Sequence, residues 1–123
     1  MKAVDLETVD ALDEFLAAAD GPVLLYKHSA TCGTSAFAHD EIRRLKADAG
    51  GPSSVGIIVV QSARRVSNEV ARRFAVRHES PQVLLVHEGR VLWTASHFRV
   101  TAEAVQAAMA ASRHAPGSAR VRN

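Results

Sequence analysis

Two short apolar runs, Val23-Leu24-Leu25-Tyr26 and Val55-Gly56-Ile57-Ile58-Val59-Val60, stand on either side of a stretch with helical periodicity, and this arrangement constrains the fold more than anything else in the chain. Each run is too short for a buried helix and too evenly apolar for a strand with one wet face, so both read as strands covered on two sides. Ala36, Phe37, Ile42 and Leu45 carry the helix between them as far as the Gly50-Gly51-Pro52 breaker. Strands joined in this way demand a parallel, right-handed crossover. Upstream, Leu6, Val9, Leu12, Phe15 and Leu16 mark one face of an N-terminal helix that stops at Gly21-Pro22. Downstream, Val66, Val70 and Phe74 recur at helical spacing. The runs Gln82-Val83-Leu84-Leu85-Val86-His87 and Arg90-Val91-Leu92-Trp93-Thr94-Ala95 then flank Glu88-Gly89, a hairpin signal. Thr101 can cap a last helix carrying Val105 and Met109. The order α, β-α-β, α, β-β, α predicts an α/β domain with a mixed four-stranded sheet flanked by helices, plus an extra N-terminal helix.

With 123 residues the chain is long enough for one domain that needs no disulfide or metal staple. Periodicity is lost in His114-Ala115-Pro116-Gly117-Ser118, so we expect the domain to span 1–112 and a flexible basic tail to occupy 113–123. The opening Met1-Lys2-Ala3-Val4-Asp5-Leu6-Glu7 turns acidic before an apolar run develops, and no segment is long enough to span a bilayer. A soluble cytoplasmic protein with no membrane partner is the expectation. The formal charge of +2 gives no argument for nucleic acid, and the pairs Arg64-Arg65 and Arg72-Arg73 read as solvated faces. His39, His78, His87 and His114 show no ligand spacing, so no metal is expected, and Trp93 reads as a core filler.

The only cysteine, Cys32, lies where the first central strand ends and the next helix begins. A thiol at a helix N-cap faces backbone N–H groups, here those of Thr34 and Ser35, and the positive end of the helix dipole. Both favour the thiolate, which is the attacking form of the side chain. The competing reading is a small core residue, against which the polar surroundings of Cys32 argue. One cysteine cannot close an intramolecular disulfide, so redox chemistry here requires a partner thiol. Ser35 stands where a two-cysteine oxidoreductase keeps its resolving thiol; its hydroxyl can hydrogen-bond a thiolate but cannot resolve a mixed disulfide. Lys27 and His28 could each bring positive charge beside Cys32, yet strand alternation sends them to opposite faces, so at most one faces the sulfur.

Lys27-His28-Ser29, then Thr31-Cys32-x-x-Ser35-Ala36, then His78-Glu79-Ser80-Pro81-Gln82 and finally Ala95-Ser96-His97 together resemble the monothiol bacilliredoxin family, also described as general stress proteins of the bacillithiol system. The resemblance runs from the first helix to about residue 112. It implies a thioredoxin-like fold and a monothiol thiol–disulfide oxidoreductase in which Cys32 removes bacillithiol from protein mixed disulfides. Partners implied are bacillithiol as co-substrate, S-bacillithiolated proteins and a separate bacillithiol disulfide reductase, with no tightly bound cofactor. It further implies a cis-proline at Pro81 whose neighbour Ser80 offers its backbone to the incoming thiol. Thr34 and Ser35 would then stabilise the thiolate, while Lys27, His28, Thr31, Gly33, Ser80, Pro81 and His97 would form the substrate-binding surface. Relatives often carry proline where this chain has Gly33, which leaves the helix start less pre-set in φ. Two other functions share these features: a monothiol-glutaredoxin-like carrier of an iron–sulfur cluster, and a stress-induced interaction module without activity.

Overall fold

The computed structural model describes residues 1–46 and 50–114. Its elements are β1 (Lys2–Asp5), α1 (Val9–Ala17), β2 (Val23–His28), α2 (Gly33–Arg43), β3 (Ser54–Val59), α3 (Arg64–Phe74), β4 (Gln82–His87), β5 (Arg90–Ser96), a 3-10 turn (His97–Arg99) and α4 (Ala102–His114). The sheet has five strands in the order β1-β3-β2-β4-β5. β1, β3 and β2 run parallel, whereas β4 and β5 are antiparallel to their neighbours.

The expected sheet of four strands is therefore corrected to five, because Lys2–Asp5 adds an edge strand along β3. The burial pattern of β1 is almost wholly exposed, so it carries no apolar signature of its own. It is held by the ladder, in which Val4 lies opposite Gly56. Leu6 leaves the helical face expected of it and instead follows the strand, fully buried, with its N–H donated to the Ile57 carbonyl at 2.8 Å. A Cβ on Gly56 would lie only 2.5 Å from Leu6 Cδ1 and 3.1 Å from Phe15 Cε2, so the bare backbone of β3 is what lets α1 and the end of β1 close over the sheet. α1 begins at Val9 beneath a Thr8 cap, whose Oγ1 accepts the Ala11 N–H at 3.0 Å.

Two apolar layers sandwich the sheet. Leu24, Tyr26, Val83 and Leu85 pack with Ala38, Ile42, Val105 and Met109 of α2 and α4. Val23, Leu25, Leu84 and Val86 pack with Leu12, Val66 and Val70 of α1 and α3. β2 lies at the centre and is buried on both sides, as its unbroken apolar run requires. The hairpin turns through Glu88 and Gly89, both at positive φ. Thr101 caps α4, its Oγ1 accepting the Ala104 N–H at 3.1 Å, and Glu41 Oε1 reaches across from α2 to accept the Ala102 N–H at 2.9 Å. α2 ends at Arg43 rather than reaching the glycine pair. α4 extends to His114, so the first two residues of the expected 113–123 tail are helical; 115–123 lie outside the described residues. No helix among the described residues is long and apolar enough to cross a membrane.

Candidate functional site

The topology brings the C-terminal end of β2, the N-terminus of α2, the N-terminus of β4 and the C-terminal end of β5 to one end of the sheet. Cys32 is the N-cap of α2, in extended backbone at φ −104° and ψ 127°. Its carbonyl accepts the N–H groups of Ser35 at 3.0 Å and Ala36 at 3.3 Å, which anchors the first turn. The half-buried thiol itself makes no cap hydrogen bond in this conformation. It is nonetheless drawn below the ordinary thiol range, first by the backbone N–H of Ser35, then by the N–H and hydroxyl of Thr34, with the Ser35 hydroxyl contributing least. The sulfur therefore ionises against a field of amides, which are donors that no substitution at Ser35 or Thr34 short of proline removes. Thiolate absorbance near 240 nm is expected to titrate with a midpoint below the free-thiol value of about 8.5. A midpoint at or above that value would remove the basis for a reactive Cys32.

The loop before Cys32 is held from the end of the neighbouring strand. Gln61, just past β3, donates from Nε2 to Ser29 Oγ at 2.9 Å and to Thr31 Oγ1 at 3.4 Å, while its Oε1 accepts the Ala30 N–H at 3.2 Å. Ser35 is fully buried and its Oγ accepts the Ser29 N–H at 3.1 Å, so its hydroxyl is spent mainly on the loop. Thr31 and Gly33 are exposed beside the thiol, and a Cβ on Gly33 would meet nothing within 4 Å.

Strand alternation settles the two candidate cations on β2. His28 shares the α2 face with Tyr26, whose hydroxyl donates to the Ser35 carbonyl at 3.1 Å and lies 2.8 Å from His28 Nδ1. His39 packs edge-on against His28 with ring centroids 5.2 Å apart. Burial, then the neighbouring His39, pushes the His28 pKa down, so His28 offers a neutral ring rather than a positive charge. Lys27 points the other way and is fully buried; its Nζ lies 3.1 Å from His78 Nδ1, and Ser67 Oγ lies 3.3 Å from the same nitrogen. Burial lowers the Lys27 pKa to about 8. The expectation that Lys27 touches substrate is thus corrected: its amine is sealed beneath His78 on the face away from Cys32.

The Ser80–Pro81 bond is cis. Pro81 is buried, Ser80 half-buried, and the Pro81 carbonyl accepts the His97 N–H at 2.9 Å. His97 has φ 57°, and its ring is more than half exposed, 4.0 Å from Glu79. Sequence reasoning gave no role to Tyr26 or Gln61, nor to His78 and Glu79, although these two stand in a motif that carries the family resemblance. Only the position of Gln61, at the carboxyl end of a central parallel strand, could have drawn attention to it. Among the described residues no group of three or more His, Cys, Asp or Glu could hold a metal ion.

The model of the monothiol bacilliredoxin family matches residues 4–105, a span that holds Cys32, the cis-proline loop and the 3-10 turn. The chain belongs to the monothiol bacilliredoxin family. Among solved structures, this bacilliredoxin-family chain is similar to a thioredoxin-fold protein assigned as an oxidoreductase, at 26% identity and a TM-score of 0.78, over 86% of this chain and 92% of that one. It is also similar in fold to Fasciola hepatica thioredoxin, at 11% identity and TM-score 0.69 over 90% and 98% of the two chains. A single-site mutant of the thioredoxin from Halobacterium salinarum matches at 16% identity and TM-score 0.68 over 89% of each chain. The fold is that of thioredoxin, and its thiol end supports a role in thiol redox chemistry.

Proposed function

We propose that this bacilliredoxin-family protein exchanges bacillithiol between mixed disulfides through Cys32 alone. The Cys32 thiolate attacks the bacillithiol sulfur of a protein mixed disulfide, the sulfur–sulfur bond breaks, and the target cysteine leaves as a thiolate that takes a proton from water. Cys32 then carries bacillithiol as a new disulfide. Ser35 has no thiol to displace it, so a second bacillithiol attacks, reduced Cys32 leaves, and the product is bacillithiol disulfide for a separate reductase to reduce. The amides of Ser35 and Thr34 favour the thiolate both as the nucleophile and as this last leaving group. Ser80 beside the cis-proline offers backbone groups to the incoming chain, and Thr31 and Gly33 leave the sulfur open to it.

The observation that carries this reading is an N-cap thiol of lowered pKa, the only cysteine in the chain, in a family-matched thioredoxin fold. Intact mass after incubation with bacillithiol disulfide, glutathione disulfide and buffer provides the test. One bacillithiol adduct per chain is expected, formed faster than the glutathione adduct and removed by added bacillithiol. An adduct formed faster with glutathione, or none at all, would refute bacillithiol as the co-substrate.

A further inference from the structure

The hydroxyl of Tyr26 is sealed beneath the start of α2, and nothing in the exchange chemistry uses it. The side chain is fully buried on β2. Its oxygen lies 2.8 Å from His28 Nδ1 and 3.1 Å from the Ser35 carbonyl oxygen. A phenol brings one proton to these two neighbours, and a carbonyl can only accept. One arrangement satisfies all three groups: His28 carries a proton on Nδ1 and donates it to Tyr26 Oη, while Tyr26 donates to the Ser35 carbonyl. The opposite tautomer would turn the phenol proton toward His28 and take it from the carbonyl. His39, on the second turn of α2, packs edge-on against both rings, its centroid 5.2 Å from that of His28 and 6.3 Å from that of Tyr26. The pair is thus held in alignment from the helix side.

What this chain of hydrogen bonds does follows from where it ends. Ser35 supplies the backbone N–H that does most to keep the Cys32 thiol acidic, and that N–H lies 3.0 Å from the Cys32 carbonyl oxygen. Its hydroxyl is already held by the Ser29 N–H at 3.1 Å. The bond from Tyr26 secures the third polar group of the same residue, its carbonyl. In return the charge of Cys32 reaches the phenol, where, after burial, it helps to hold the proton on Tyr26. We propose that Tyr26 is a positioning residue for Cys32: oriented by the Nδ1–H of His28, its hydroxyl grips the Ser35 carbonyl and keeps the first-turn amides of α2 aimed at the sulfur. His28 acts through Tyr26, and Tyr26 through Ser35. The inference deepens the exchange reading and rests on its nucleophile, Cys32, but not on the identity of the small thiol.

The test reads the thiol without bacillithiol. Cys32 is titrated by thiolate absorbance in the unchanged protein, Tyr26→Phe, His28→Leu and His28→Asn, each against a blank that also carries Cys32→Ser. Alkylation by iodoacetamide is timed in the same set at a pH below the midpoint. Asparagine places an amide N–H close to where Nδ1–H stands, and leucine places none. Tyr26→Phe and His28→Leu are expected to raise the midpoint by about half a unit or more, which lowers the alkylation rate about threefold, and His28→Asn to restore most of both. Circular dichroism and chemical denaturation accompany each variant. A loss of stability with an unmoved midpoint would make the hydroxyl merely structural and overturn the proposal. Midpoints that rise equally in His28→Leu and His28→Asn would remove His28 from the chain. If Tyr26→Phe does not fold, the contrast between leucine and asparagine at the half-buried His28 decides alone. The two readings fail separately. Shifted midpoints without any bacillithiol adduct on Cys32 in the mass experiment sink the exchange reading and leave Tyr26 in its role. Adduct formation with unmoved midpoints does the reverse.

Discussion

Cys32→Ser is expected to abolish adduct formation and to lower the exchange rate on a bacillithiolated model protein by at least about 10³-fold, the order seen when a sole nucleophile is removed. The reason is structural as well as chemical. Ser35 occupies the only other nucleophilic position in the first turn of α2 that faces inward, and it is fully buried, with its oxygen engaged by the Ser29 amide. A serine at position 32 keeps the amides of Thr34 and Ser35, but a hydroxyl in that field does not ionise near neutral pH. Far-UV circular dichroism should be unchanged, because no side-chain cap hydrogen bond is lost. Turnover that persists in Cys32→Ser would place the chemistry on another group.

The second large effect concerns stability. Lys27→Met is expected to stabilise the fold at pH 7 by as much as about 3 kcal/mol, because the amine of Lys27 is buried against the His78 ring, which Ser67 also contacts, with no carboxylate paired to it among the described residues. The direction follows from linkage. Burial lowers the pKa of Lys27 from 10.5 to about 8 in the folded protein, so between those values the unfolded chain binds a proton that the folded chain lacks. Stability then rises with pH through that interval, and below it the folded state bears the whole cost of the buried charge. Two other groups titrate nearby. The lowered pKa of Cys32 also makes stability rise with pH below its ordinary value, so the comparison is best made in the Cys32→Ser background. Burial, and then Cys32, raise the Tyr26 pKa, which makes stability fall with pH above about 10 and closes the clean window there. Chemical denaturation should show a pH-dependent rise in stability between about 8 and 10 in Cys32→Ser, which keeps Lys27, and none in Cys32→Ser/Lys27→Met. Destabilisation by methionine at pH 7 would mean that the contact with His78 outweighs the cost of the charge.

Much of this fold was legible because its centre is defined by local pattern. The apolar run at 23–26 sits in β2 and that at 55–60 in β3 but for Val60, in the turn just past it; Glu88-Gly89 turns the hairpin, and Thr101 caps the last helix. The N-cap position of Cys32 followed from the junction of two periods. What escaped notice depends on pairing rather than pattern. β1 is almost wholly exposed and exists because β3 offers it a ladder, so nothing in Lys2-Ala3-Val4-Asp5 announces a strand. Likewise, alternation says that Lys27 and His28 diverge, but not which face belongs to α2. That is decided by the side of the sheet on which the helices pack. The long-range partners His78 and Gln61 are 51 and at least 30 residues away from what they hold, so no local period pairs them with Lys27 or with the 29–31 loop.

The Gln61 clamp changes how the thiol end breathes. A connecting segment such as 29–31 ordinarily opens at negligible cost, and its amides exchange with solvent almost as fast as those of an unfolded peptide. Here the exposed Ala30 amide is tied to a side chain rooted at the end of a central strand, and the same side chain holds both flanking hydroxyls. Deuterium uptake at Ala30 should accordingly track the slow opening of β3 rather than the fast motion of a surface loop. The nucleophile is then presented by a segment whose lifetime in one geometry is that of the sheet.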